Sequence, residues 1–300
     1  MGWRTIIVRE KSKIDFRMNY LCVRQGDRYN EIFIKEIDSI ILESTAISVT
    51  AFALNELIKE KVNIIFCNEK CNPSAQLLPL QGSHDSSQSI RNQINWSDSR
   101  KQEIWTKLVE QKIKNQAIVL KTIGLTGYKE IEKHLAQLTI NDETNREGHA
   151  AKEYFKALFG NFYSRKQEST INAALNYGYS ILLSCINREI TSKGYLTQLG
   201  IGHCNVDNPF NLGSDLIEPL RYIVDWCVIN NNFEKFEKEE KMVLCGLLDE
   251  TVLINNTKHS LKNAINIYVH SVINALESPK EALPSFIDYE LQIYENNSIL

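Results

Sequence analysis

Three short blocks place ionisable side chains beside small residues or helix signals. In Asn145-Arg-Glu-Gly-His-Ala-Ala-Lys-Glu-Tyr-Phe155, helical spacing puts Glu147, Ala151 and Tyr154 on one face and Lys152 on the adjoining one. Gly148 and the two alanines admit a close helical neighbour. In Gly200-Ile-Gly-His-Cys-Asn205, two glycines precede His203 and suggest a loop from which an imidazole reaches out. In Gly213-Ser-Asp-Leu-Ile-Glu-Pro-Leu-Arg221, Asp215 and Glu218 lie three apart at the start of a helix, so their carboxylates share a face. Like charges this close raise each other's proton affinity unless a cation sits between them. Taken singly, the blocks have ordinary readings. Glu147 is a first-turn acid on a helix dipole, His203 a surface imidazole, and Ser214 or Asp215 an N-cap. Taken together, two or three carboxylates and one imidazole from separate helices make a mixed oxygen and nitrogen site suited to Mg²⁺ or Mn²⁺.

Other chemistries lack their residues. Cys67 and Cys71 have no second pair, which argues against zinc. No Gly-rich phosphate loop ends in Lys-Ser/Thr, and no Gly-x-Ser-x-Gly elbow occurs. The dipeptide His84-Asp85 sits in a Gly/Ser turn and reads as a DNA contact before a metal pair.

The elements that must position these groups fall into two regions. Thr5–Val8, Tyr20–Val23, Glu31–Ile34, Ser39–Leu42 and Asn63–Phe66 read as strands, interrupted by a helix pattern over Val49–Lys61. A turn-rich passage follows over residues 72–88. Beyond it, Ser89–Ile123 carries neither Pro nor Gly and reads as one long helix or two. Gly148–Phe159, Ser169–Lys193, Leu212–Asn230, Glu239–Asn255, Leu261–Leu276 and Leu283–Glu295 also read as helices. The expected class is α+β: a β-sandwich-like N-terminal domain over 1–80, then an all-α domain over 81–300.

At 300 residues with 43% apolar content, the chain can bury a sizeable core and is neither disordered nor fibrous. No apolar run approaches the length of a membrane span, and no secretory h-region precedes Glu10. The seven cysteines are therefore expected as reduced thiols in a cytoplasmic protein. The formal net charge is -3, but it is unevenly spread. Residues 91–121 hold seven basic and three acidic side chains, whereas residues 231–300 hold six lysines and eleven acids. One basic stretch beside an acidic tail allows local phosphate binding.

The three blocks, in order and with their separations, resemble the CRISPR-associated adaptation endonuclease/integrase, the subunit that inserts new spacers. Gly2-Trp-Arg-Thr-Ile-Ile-Val, Asn161-Phe-Tyr and Tyr177-Gly-Tyr-Ser-Ile-Leu-Leu look like its type II branch. The resemblance implies Glu147, His203 and Asp215 as catalytic metal ligands for Mg²⁺ or Mn²⁺, with Glu218 at a second acidic position. It implies a homodimer that assembles with a small dimeric CRISPR-associated partner into a heterohexamer. In type II systems a ring-shaped accessory protein and the effector nuclease join them. The substrates would be double-stranded DNA, prespacer and CRISPR repeat, with no membrane involved. His84, Arg91, Arg100, Lys101, Arg146, Lys152 and Arg165 are the candidate DNA contacts. The rival readings are a non-catalytic DNA-binding scaffold, from the basic stretch, and a small-molecule metal phosphohydrolase, from His84-Asp85.

Overall fold

The computed structural model describes residues 2–80, 83, 85–278 and 282–291. The chain divides into two units, Met1–Ser86 with Thr191–Tyr195 and Ser87–Ile190 with Leu196–Leu300.

The first unit carries two four-stranded sheets and one helix. In one sheet, β1 (Arg4–Val8), β5 (Ile37–Leu42) and β7 (Asn63–Cys67) run parallel, and β8 (Pro73–Leu77) closes the edge antiparallel to β7. The other is ordered β4 (Arg28–Phe33), β3 (Tyr20–Gln25), β2 (Lys13–Arg17), β6 (Ser48–Val49). Every residue of β5 is buried, as expected of a strand with parallel neighbours on both sides. Helix α1 (Ala51–Lys59) starts on Thr50, whose hydroxyl accepts from Ala53 N, and supplies the crossover between β5 and β7. Ile14 and Leu21 of one sheet, Ile40 and Ile64 of the other, and Ala53 and Leu57 of α1 share one core. The turn-rich passage therefore hides a strand, β8, and β2 is a further strand that the apolar pattern alone does not show.

The second unit is built around α3 (Asp98–Thr122), preceded by α2 (Ser86–Ile94). Against α3 pack α4 (Tyr128–Ala136), α5 (Arg146–Phe159), α8 (Arg221–Asn231) and α10 (Leu261–Glu277). The buried α6 (Thr170–Ser192), α7 (Asn211–Ile217) and α9 (Lys238–Gly246) complete the helices. This unit is not all-α. Part of the expected helix over Glu239–Asn255 is β9 (Thr251–Ile254), paired antiparallel with β10 (Thr257–Ser260). Nor is the stretch over residues 283–291 helical: Asp288 exchanges backbone hydrogen bonds with Leu253 of β9, both 2.8 Å. The rest of that expected helix lies outside the described residues. The chain as a whole is a mixed α/β protein. No helix of the described residues is long and apolar enough to cross a membrane, and all seven cysteines are free thiols.

One expected DNA contact is absorbed by the fold. The Arg100 side chain is buried and donates from Nε to the Ala275 carbonyl (2.6 Å), from Nη2 to the Ala282 carbonyl, and from Nη1 to Glu103 Oε2 (2.7 Å). It ties the end of α10 and the segment after it to α3 and cannot reach a phosphate. Arg100→Met leaves one buried and one partly buried carbonyl without this donor, so it should lower unfolding free energy by about 2–4 kcal/mol. Denaturant titration of the full chain checks this, and an unchanged midpoint would contradict the assignment.

Candidate active site

Glu147 is set by the capping of α5. Asp142 accepts from the backbone N–H of Arg146 (2.6 Å) and of Glu147 (2.9 Å). Asn145, in the left-handed region at φ 52°, caps Gly148 N. The turn that carries Asp142 is in turn pinned to α3, where Thr106 Oγ1 accepts from Asn141 N at 2.8 Å. Glu147 thus stands in the first turn of α5, on the positive end of the helix dipole.

Glu218 comes from the short 3₁₀ turn Glu218–Leu220 between α7 and α8, where Pro219 falls in the first turn and needs no N–H partner. Asn115 of α3 holds the Pro219 carbonyl at 2.8 Å. Glu218 is 4% exposed, and its two oxygens have different partners. Oε1 accepts from Arg221 Nε (2.9 Å) and Nη2 (2.8 Å). Oε2 accepts from the Lys112 ammonium, which also donates to Glu147 Oε1. One buried cation from α3 therefore stands between the two carboxylates. Burial alone would push the Glu218 carboxyl up, but Arg221 and Lys112 hold it well below the usual carboxylate range. Burial likewise works against a charged Lys112, and the two carboxylates reverse it, so the ammonium is held more firmly than in water.

His203 and Asp215 form the other half. Asp215 is fully buried inside α7, not at its N-cap. Its Oδ2 accepts from Ile201 N (2.6 Å) and Gly202 N (3.1 Å), and its Oδ1 from His203 N (2.8 Å) and His203 Nδ1 (2.6 Å). Both oxygens are occupied by the loop, so Asp215 holds the loop and aims the imidazole, whereas Glu147 and Glu218 are joined through the Lys112 ammonium. With Nδ1–H directed at a carboxylate, Nε2 is the free lone pair of the neutral ring. The loop approaches so closely that glycine is required twice. A Cβ on Gly200 would lie 2.7 Å from Asp215 Oδ2, and one on Gly202 would overlap the Trp105 ring. Trp105 then packs edge-on against His203, centroids 5.5 Å apart. The Asp215 hydrogen bond raises the affinity of His203 for its proton, burial opposes this, and the charges of Asp215, Glu218 and Glu147 add to the rise.

Among the described residues, no three His, Cys, Asp or Glu side chains already form a cation-binding group. What the fold brings together is Glu147 and Glu218 on one ammonium, with the His203 imidazole within their field. Two carboxylate oxygens and one imidazole nitrogen are a donor set that fits Mg²⁺ or Mn²⁺. The convergence of both carboxylates on a positive charge is the observation that supports this fit. Lys112 itself belongs to the basic stretch and carries no sequence signal of a role at the site, beyond lying seven residues, two helical turns, after Trp105.

The remaining DNA candidates divide. Arg165 donates to Asn172 Oδ1 (2.6 Å) and Asn176 Oδ1 (2.5 Å) and lies over the Phe155 and Tyr179 rings, so it is committed to packing. Arg91 and Lys152 are exposed, and Arg146 is half-buried beside Glu147. Lys101 lines an open cavity of about 850 Å³ with Trp96, Gln198, His203, Asn205 and Asn211. His84 lies outside the described residues.

Asp215→Asn replaces an acceptor with a donor facing backbone N–H groups, and should cost on the order of 3 kcal/mol of stability. It should also move the His203 midpoint down. In the native chain that midpoint lies above 6.5. The stabilising contribution of His203 is therefore fully present below about pH 6.5 and is lost as pH rises through the folded midpoint. Imidazole NMR titration in chelator checks the shift; a midpoint unmoved by the substitution would show that Asp215 is not its cause.

The family model for CRISPR associated protein Cas1 matches residues 5–252. A CRISPR-associated endonuclease Cas1 of Neisseria meningitidis serogroup C (strain 8013) is 34% identical over 231 residues, 77% of this chain and 76% of that protein. Among solved structures, a casposase bound to integration product superposes with a TM-score of 0.81 at 20% identity, covering 98% of this chain and 96% of that one. A chain of a Cas6-RT-Cas1–Cas2 complex gives 0.74 at 16% identity, covering 99% of this chain and 36% of that one. At those identities the two structures speak for the fold. The match along most of the sequence, together with the relative from Neisseria, makes the chain a member of the CRISPR-associated Cas1 family.

Proposed function

We propose that this chain is the catalytic subunit of CRISPR spacer acquisition. It would join the 3′-hydroxyl ends of prespacer DNA to the repeat boundary of a CRISPR array by phosphodiester transesterification, with Mg²⁺ or Mn²⁺ held by Glu147, Glu218 and His203. The observation that carries the reading is the pair of carboxylates from separate elements meeting on one cation beside an imidazole whose Nδ1 is fixed by a buried acid. The bound divalent ion would lower the pKa of the attacking hydroxyl and neutralise charge on the phosphoryl oxygens. The chain's own groups do the rest. Asp215 fixes the His203 tautomer and points Nε2 outward. Arg221 pins one oxygen of Glu218, so that the other is presented in one direction. Trp105 covers one side of the imidazole and excludes water there.

The DNA surface in this reading consists of Arg91, Lys101, Arg146 and Lys152, whose contribution would be to phosphate and therefore salt-dependent. The relative's name as an endonuclease and the casposase with its integration product support the reaction class. The complex that contains Cas2 supports a small second protein as partner. A homodimer of this chain flanking that partner, with type II accessory proteins, completes the proposed assembly.

The test is strand transfer of a labelled prespacer into an array plasmid, with the small partner present and Mn²⁺ added. Glu147→Gln, Glu218→Gln and His203→Ala should each reduce joining by about a hundredfold or more at a temperature where circular dichroism shows each variant folded. Native-level joining by these three variants, or by the native chain in chelator, would reject a metal-dependent integrase in favour of a scaffold that binds DNA without reacting.

A further inference from the structure

One buried cation beside the acids has no part in the reaction proposed above. Lys112 is 8% exposed, and its ammonium meets Glu147 Oε1 and Glu218 Oε2 at once. These two oxygens share the ammonium, while Glu218 Oε1 is engaged by Arg221. Without Lys112, two carboxylates would converge in a largely buried site with one guanidinium on the far oxygen of one of them. That arrangement is costly, since like charges in low dielectric suppress each other's ionisation.

We propose that Lys112 is the resident counter-cation of the metal-free site, and that a divalent ion binds by displacing its ammonium from between Glu147 and Glu218. This rests on the metal-centre reading above and deepens it. A lysine suits such a role. Its ammonium is a compact point charge on a flexible four-carbon stem, so it can neutralise two acids and still withdraw by rotamer change. Arginine would not withdraw as readily, because its planar fork can engage both carboxylates with several donors. Lys112 projects from the middle of α3 with the buried residues Val109, Ile113 and Gln116 around it, so withdrawal is a change of its own rotamer and not a movement of its backbone.

Two consequences carry opposite signs. Removing the ammonium removes the competitor for the same two oxygens, so Lys112→Met should bind Mn²⁺ about tenfold or more tightly than the native chain. The same substitution leaves the acids unneutralised in chelator, so its melting temperature there should fall by on the order of 10 °C and be restored by Mn²⁺. Lys112→Arg keeps the charge and strengthens its grip. It should melt near the native temperature in chelator and bind Mn²⁺ more weakly.

The experiment is Mn²⁺ titration of full-length native, Lys112→Met and Lys112→Arg chains, with free Mn²⁺ read by electron paramagnetic resonance, alongside melting curves with and without Mn²⁺. Tighter binding by Lys112→Met with weaker binding by Lys112→Arg supports displacement. Equal or weaker binding by Lys112→Met, where the native chain binds, overturns the proposal and leaves the metal centre standing. Should Lys112→Met not fold in chelator or in Mn²⁺, the arginine variant decides: native-like or tighter Mn²⁺ binding by it overturns displacement. Absence of Mn²⁺ binding by the native chain overturns the metal centre and this inference with it.

Discussion

Two carboxylates from separate elements that converge on one buried ammonium are the constraint around which the second unit is arranged. Burial pushes a carboxyl toward its neutral form, and a second carboxylate alongside pushes harder. The chain answers with two cations of different kinds. Arg221, three residues along from Glu218, engages one oxygen through two nitrogens and gives that acid a fixed orientation. Lys112 supplies charge from a different helix and joins Glu218 to Glu147 across the site. The ionised state of Glu218 thus rests on Arg221 from the next turn and on Lys112 from a distant helix, both acting against its burial.

The same logic explains why so much of the surrounding structure is polar and yet well packed. The face of α3 that carries Trp105, Lys112 and Asn115 supports His203, the two acids and the Pro219 carbonyl in turn. Thr106, on the neighbouring position, receives the turn that caps α5. A single rigid helix therefore sets the spacing between three groups that arrive from three separate elements. Tyr268 of α10 adds a brace from the other side, donating to the Leu216 carbonyl at 2.9 Å one residue beyond Asp215.

How much of this is legible in the sequence depends on whether the cause is local. The blocks around Glu147, His203 and Asp215 stand out because glycines, acids and helix signals coincide within a few residues. Which acid meets Glu147 is not legible, because Asp215 and Glu218 share a helical face in the pattern and only the approach of the glycine loop assigns one of them to it. Arg100, Arg165 and Lys112 look like surface cations for the same reason: nothing within four residues of each reveals the carbonyls, amides and carboxylates that meet it from distant segments. The missed strands have a different cause. Met18-Asn19 and Asn255-Asn256 both adopt positive φ and form two-residue turns joining β2 to β3 and β9 to β10. Asn-containing dipeptides between short alternating runs are a hairpin signal, and it outweighs the helical periodicity read across Glu239–Asn255.

Beyond Arg221 the alternation of charge continues inward. Asp225, one turn further along α8, is fully buried and accepts from the Tyr179 hydroxyl, and the Arg221 guanidinium lies 4.7 Å from the centre of the Tyr179 ring. Burial pushes Asp225 up to about 6, with the Tyr179 hydrogen bond and the nearby guanidinium opposing it. Acid, base and acid thus follow one another from the site into the core, with an aromatic ring beside the middle member. A guanidinium held by an aromatic face and flanked by acids cannot turn toward an incoming phosphate without abandoning Glu218. Arg221 is therefore committed to orienting the carboxylate, and under the proposed function the contacts to phosphate fall to cations that have solvent in front of them. The exposure of Lys152 and the partial exposure of Arg146, on the helix that carries Glu147, provide such cations beside the site without disturbing the charge balance inside it.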